Sequence, residues 1–336
     1  MAKKKTKSVI KETQAKQAKV TTQKKWNLIE KLLGFAELGR PVEWSKTLLN
    51  MTLAMLIVVY TYSGSINPLI FIEGFFSVAL LWSGLYALND WTDWKIDLIH
   101  NVKKNRPIPS GKVTPNQGII FSIALILISF LIAFALQKDG LILCLIAMVV
   151  NQLLYTTKPF RLKSRKYFDV ISGSMINPFF RYFSGIVLFI SLSTLITMTP
   201  PILPILFVVG IQFSGYSLYR LFSKKHDEQV KMKSSVALMS EQKVKLFSYG
   251  AMGIAGLSYI GLLINGATLQ LFWLGFIPIQ FAWAIVAVIL QFLLTPSLIN
   301  AVLHPGKADM KSSYRMTYFL TIMFIIANLA ILFIFP

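Results

Sequence analysis

From residue 47 onward the chain alternates long apolar runs with short polar connections. The runs fall at about Thr47–Tyr62, Pro68–Leu88, Gln117–Leu136, Leu141–Tyr155, Val170–Ile190, Ile202–Phe222, Leu246–Ile264, Phe272–Leu294 and Met316–Phe335. A helix needs about 20 apolar residues to cross a bilayer, so the pattern predicts nine transmembrane helices. The eighth run is long and holds Pro278, which predicts a kink. Ahead of the first run, Leu28, Leu32, Phe35 and Leu38 recur at helical spacing, with Glu30, Lys31 and Glu37 on other faces. That is an amphipathic helix expected to lie along the membrane interface. Three segments follow: a Lys-rich tail, 1–25, expected to be disordered; an interfacial segment, 26–46; and a transmembrane domain, 47–336.

Composition removes the soluble alternative. Of 336 residues, 55% are hydrophobic and only 14% charged, more apolar surface than a water-soluble domain can hide. The net charge of +20, from 34 Lys+Arg against 14 Asp+Glu, would suggest nucleic acid in a soluble protein. Its distribution points to the bilayer instead, and no nucleic-acid partner is expected. The segment through Lys46 holds twelve basic residues, and the connections after runs two, four, six and eight hold five, five, six and three. The connections after runs one, three, five and seven hold only Lys138. The positive-inside rule then places the N-terminus and the even-numbered connections in the cytoplasm, with the C-terminus outside. The tail is expected to stay near anionic headgroups. The first forty residues are too polar for a cleavable signal. The single cysteine, Cys144, excludes an intramolecular disulfide and a thiolate metal site.

The densest chemistry follows the second run, from Asn89-Asp90 through Asp93 and Asp97 to Arg106-Pro107-Ile108-Pro109-Ser110-Gly111. Spacings of three and then four put Asp90, Asp93 and Asp97 on one face of a continuing helix. Carboxylates at a helix C-terminus oppose the macrodipole and repel one another unless a cation intervenes. Hard oxygen donors at that density suit Mg²⁺, with Asn89 beside them. Lys103, Lys104, Arg106 and Lys112 follow at once. A metal–carboxylate face beside fixed positive charge is what a diphosphate needs.

At these residues the chain resembles the UbiA superfamily of intramembrane prenyltransferases. Asn89, Asp90, Asp93 and Asp97 match its first aspartate signature, and His100, Lys103, Arg106-Pro107-Ile108 and Ser110-Gly111 continue the likeness; Asn101 stands where many members have Pro. The resemblance spans roughly residues 36–335. Pattern and resemblance together predict an all-α polytopic membrane protein, about nine transmembrane helices around a central cavity open to the cytoplasm and to lipid. The resemblance implies Asp90, Asp93, Asp97 and Asn89 as Mg²⁺ ligands, and Lys46, Lys103, Arg106, Tyr155, Lys163, Lys224, Lys225 and Glu228 as substrate or phosphate contacts.

Arg181 stands about twelve residues into the fifth run, where an unpaired guanidinium costs a few kcal/mol or more. Asp169 and Glu73 are candidate partners, but twelve residues of straight helix is about 18 Å. A role inside the cavity is therefore expected for Arg181. After the sixth run the chain departs from the better-known members. Asp227 and Glu228 are adjacent there, point about 100° apart on a helix and cannot easily share an ion. The Lys224-Lys225-x-x-Glu228 pattern, Arg40-Pro41, Trp44, Lys46, and Asp169-Val170 with Arg181 look more like the polyprenyl-phosphate phosphoribosyltransferase branch.

The expected activity is Mg²⁺-dependent transfer involving a polyprenyl lipid, with diphosphate as leaving group. Phosphoribosyl transfer from phosphoribosyl pyrophosphate to a polyprenyl phosphate is favoured. Prenyl transfer from a polyprenyl diphosphate to an aromatic or other small acceptor is the alternative. A carrier or ion transporter fits less well, because transporter sites usually lie near the bilayer midplane. His226 and His304 lack metal-ligand spacing.

Overall fold

The computed structural model describes residues 26–62, 64–99, 103–197, 202–229, 232–268, 300, 303–304 and 309–334. Every regular element among them is helical. The Lys-rich tail, His100, Asn101, the eighth apolar run with Pro278, and the Lys225 and His226 side chains lie outside the described residues. The main helices are α1 (Leu28–Gly39), α2 (Trp44–Tyr62), α3 (Pro68–Asp97), α4 (Pro115–Ala135), α5 (Asp139–Thr156), α6 (Asn177–Val187), α7 (Ile202–Leu221), α8 (Glu241–Thr268) and α9 (Met310–Ile334). Among the described residues, five helical stretches are long and apolar enough to cross a membrane: Leu28–Val59, Pro68–Asp97, Pro115–Ala135, Asp139–Thr156 and Ile202–Leu221. The expected fifth, seventh and ninth runs coincide with helical segments ending in α6, α8 and α9. The chain is an all-α integral membrane protein.

The described residues divide into two compact units, one from 26–44 with 76–135 and the other from 45–75 with the segments after 135. In the first, α1 opens with a capping box. The Asn27 side chain accepts from the Glu30 N–H at 2.8 Å, and the Glu30 carboxylate accepts from the Asn27 N–H at 2.9 Å. It ends where Arg40 adopts a left-handed conformation, φ 48°, with its N–H on the Ala36 carbonyl. A non-glycine residue there costs about 1–2 kcal/mol, and the reversal is what aims the Arg40 side chain. Leu38, Ala87, Ile108 and Val113 form a small core with Phe35, Trp91, Trp94 and Phe121 around it. That core ties the segment after α3 back onto the helix it has just left. Ser122 of α4 donates to the Gly84 carbonyl of α3 at 2.7 Å.

In the second unit the fifth apolar run is not one regular helix. A short helix, Phe168–Ile171, passes through a π-helical turn, Ser172–Ile176, into α6. Pro178 is the cause: it has no N–H to continue the ladder. The loosened backbone is satisfied by α5, where Asn151 donates to the Ser172 carbonyl at 3.0 Å and to Asn177 Oδ1 at 2.6 Å, and accepts from the Ser172 hydroxyl at 2.8 Å. Such re-satisfaction is what makes an irregular turn tolerable at membrane depth.

Further along α6, Gly185 lets α2 approach closely. A Cβ there would sit 2.6 Å from the Ala54 Cβ and 3.1 Å from the Met51 Cα, neither of which can rotate away. Gly185→Ala is therefore expected to destabilise the protein by about 1–3 kcal/mol, the usual cost of overpacking. Thermal unfolding in detergent should show the drop, and an unchanged melting temperature would refute the close approach.

Candidate active site

Helix α3 carries the acidic row without a break, to Asp97 itself. The row therefore lies on one face, as its spacing requires. Asp90 and Asp97 turn inward: their side chains are 1% and 4% exposed. Asn89 and Asp93 are partly exposed. Two arginines meet the buried carboxylates. Arg40 Nη2 donates to Asp90 Oδ1 at 2.5 Å, and Arg106 Nη1 donates to Asp90 Oδ1 at 3.0 Å and to Asp97 Oδ2 at 2.8 Å. Charge-assisted bonds of this kind are about twice as strong as neutral ones. They offset both the burial of the carboxylates and their opposition to the helix dipole.

Each arginine is positioned by its surroundings. Arg40 is aimed by the left-handed turn after α1 and lies over the Tyr86 ring, 5.0 Å from its centroid. Arg106 follows the helical turn Lys103–Asn105, its N–H on the Lys103 carbonyl at 3.0 Å. Just beyond, Ile108 and Val113 are buried in the core described above, and the Val113 N–H bonds the Pro107 carbonyl at 3.1 Å. Lys103 is therefore held a turn before Arg106, at the end of the acidic row. Lys112 is turned elsewhere, to Glu37 at 2.8 Å.

Asp90, Asp93, Asp97 and Asn89 offer the hard oxygen donors that suit Mg²⁺. Among the described residues, however, no three His, Cys, Asp or Glu side chains converge closely enough to hold a metal. The expected metal set thus shares a helix face without forming a cage. Its buried members are engaged by guanidiniums, and a cation there must take part of its shell from water or substrate oxygens.

The second unit gathers a separate polar cluster. Tyr155 of α5 and Tyr216 of α7 share a hydrogen bond at 2.8 Å. Lys163 is buried, donates to the Thr156 hydroxyl at 2.6 Å and lies 6.0 Å from the Tyr155 ring centroid. Arg220, one turn beyond Tyr216, donates to Asp227 Oδ2 at 2.5 Å and reaches Asp169 Oδ2 at 3.8 Å. Asp169 also accepts from the Ser235 N–H at 3.0 Å and from its hydroxyl, and Asp227 accepts from the Ser234 hydroxyl at 2.6 Å. Burial pushes the Asp169 carboxyl up, against the Ser235 hydroxyl and Arg220, which pull it down.

Several sequence expectations are refined by these positions. Asp227 and Glu228 do not act as a pair: Asp227 is 2% exposed and tied to Arg220 and Ser234, while Glu228 is exposed. Lys224 donates to the Met239 carbonyl at 3.0 Å, bracing its own loop. Lys46 lies 5.6 Å from the Tyr318 ring centroid on α9. Arg181 is buried, 4% exposed, on α6; it faces protein and not lipid. Arg220 is the residue whose importance the sequence hides, and Arg40 shows there only as part of a branch resemblance, with no sign of its bond to Asp90. Their signals, an arginine just before a proline and one closing an apolar run, are also those of ordinary membrane-edge basic residues.

Comparison with known proteins follows the same lines. The model of the UbiA prenyltransferase family matches residues 49–296. The 4-hydroxybenzoate octaprenyltransferase of Pseudomonas fluorescens is 26% identical over 225 residues, 65% of this chain and 70% of that protein. The protoheme IX farnesyltransferase of Bdellovibrio bacteriovorus is 41% identical over 68 residues, so the matched part spans 20% of this chain and only 23% of that relative. A solved UbiA homologue from Archaeoglobus fulgidus, bound to GPP and Mg²⁺, superposes with a TM-score of 0.62 at 14% identity, covering 89% of this chain and 99% of that one. At that identity the likeness is one of fold.

Proposed function

The chain belongs to the UbiA prenyltransferase family, and on that premise we propose that it is a Mg²⁺-dependent membrane transferase that acts on a polyprenyl lipid and expels diphosphate. One observation carries the reading: an acidic row on the end of an apolar helix, with the guanidiniums of Arg40 and Arg106 converging on it. Asp90, Asp93 and Asp97, with Asn89, would hold the metal, which supplies charge neutralisation for the leaving diphosphate. Lys103 and Arg106 supply donors for its outer oxygens, and Arg offers the planar fork that suits phosphate. Arg181 adds positive charge within the helical part of the protein. The basic-residue distribution orients the acidic row and N-terminus toward the cytoplasm and the C-terminus outside.

Two donors remain, and separate observations favour each. Asp227 is committed to Arg220 and Ser234, and Glu228 is exposed, so this loop offers cations rather than a second carboxylate pair. That favours direct clamping of a soluble phosphate-rich donor: phosphoribosyl pyrophosphate, with a polyprenyl phosphate as acceptor. Lys163, beside Tyr155, and Lys224 and Lys225 are its candidate contacts. Prenyl transfer to an aromatic acceptor is favoured by the named activity of the Pseudomonas fluorescens relative. The assay uses the protein in lipid nanodiscs with Mg²⁺. One arm supplies phosphoribosyl pyrophosphate and a polyprenyl phosphate, the other a polyprenyl diphosphate and 4-hydroxybenzoate. Phosphoribosyl-lipid formation is the expected product. Product only in the second arm would reverse the choice of donor, and none in either arm would overturn both of these donor–acceptor pairs.

A further inference from the structure

Asp90 Oδ1 receives two guanidiniums, and the same Arg106 Nη1 that reaches it also donates to Asp97 Oδ2. One nitrogen thus spans the first and last acids of the row. A carboxylate oxygen engaged by a guanidinium N–H is poorly placed to ligate a cation, and a divalent ion a few ångströms from a guanidinium is repelled by it. We propose that Arg106 competes with the divalent cation for Asp90 and Asp97, so that metal entry releases the Arg106 guanidinium for the diphosphate. The proposal rests on the acidic row being the metal site.

The two arginines are not equivalent in this exchange. Arg40 is aimed by its own backbone and covered by the Tyr86 ring, so it stays and keeps Asp90 from being orphaned. Arg106 is anchored at its backbone by the neighbouring Ile108 and Val113, and its guanidinium is held by the two acids it bridges. Its side chain is 26% exposed, much as Arg40's is at 25%, against 1% and 4% for the acids it bridges, so it is the backbone turn and the Tyr86 ring that set Arg40 apart. The long side chain can turn outward without moving the core. An incoming diphosphate gives the released guanidinium a bidentate partner. Metal and diphosphate then favour one another's binding, and the coupling is reciprocal.

The test is calorimetric titration of Mg²⁺ into the full-length protein in nanodiscs, with no lipid substrate, with and without inorganic pyrophosphate. For Arg106→Gln the Mg²⁺ dissociation constant in the absence of pyrophosphate is expected to fall about tenfold, equivalent to about 1.4 kcal/mol, while turnover falls too. Pyrophosphate should tighten Mg²⁺ binding to the unsubstituted protein more than to the variant. Arg106→Lys keeps the charge but loses the fork, and should fall between; it carries the test if Arg106→Gln does not fold. An unchanged or larger dissociation constant in the variants, with Mg²⁺ still binding the unsubstituted protein, overturns the competition alone. Absence of Mg²⁺ binding to the unsubstituted protein and both variants, even with pyrophosphate, overturns the metal site as well.

Discussion

Asp93→Ala is expected to lower turnover by about 10³-fold, because on the proposed reading Asp93 is a metal ligand, and losing it would forfeit several kcal/mol of transition-state charge stabilisation. Among the three acids this one stands outside the Arg106 bridge. Asp90 and Asp97 are both bonded to Arg106 and are almost fully buried. Substituting Asp90 would remove the carboxylate that Arg40 and Arg106 share, and substituting Asp97 would break one arm of the Arg106 bridge, so either confounds activity with folding. Asp93 lies between them in sequence and is partly exposed, and its removal leaves the Arg106 bridge standing. The measurement is initial rate at saturating donor and acceptor over a Mg²⁺ series. A variant that turns over at the unsubstituted rate would remove the acidic row from the chemistry.

The row itself was legible in the sequence because it needs only local rules. An apolar run of membrane length ends in acids spaced three and four apart, and the helix continues through them. What holds the row was not legible. Arg40 lies fifty residues before Asp90 and reaches it through a left-handed turn at a non-glycine residue, which no propensity announces. Arg106 was visible as a cation next to acids, but its bridging of Asp90 and Asp97 depends on the packing of Ile108 and Val113.

The fold shows the same division. Apolar runs and helix ends agree closely where one helix is regular, as at α5 and α7. The fifth run is helical as expected, but its ladder widens at Ser172–Ile176, where the π turn answers to Pro178 and to Asn151 on another helix. Lys163 shows why composition can mislead. It counts among the inside-loop cations, yet it is 5% exposed and bonded to Thr156. A lysine side chain is mostly hydrocarbon and can be buried along its stem while its amine finds an oxygen, so charge counts alone cannot separate it from its solvated neighbours.

Arg220→Met is expected to destabilise the protein by about 3–5 kcal/mol, the cost of removing one partner from a buried ion pair. The guanidinium pairs with Asp227 and also faces Asp169, and these carboxylates are 2% and 0% exposed. Ser234 and Ser235 would still donate to them, but neutral hydroxyl and amide groups cannot balance two buried charges. The loss should appear as a lower melting temperature in detergent. The double variant Arg220→Met/Asp227→Asn should recover part of it, because it removes one orphaned charge while keeping a polar group for Ser234. If Arg220→Met melts with the unsubstituted protein, the cluster is not carrying the loop. If the single and double variants melt together, the penalty does not come from the Asp227 charge, and the cost falls to the Asp169 charge or to lost packing of the arginine stem.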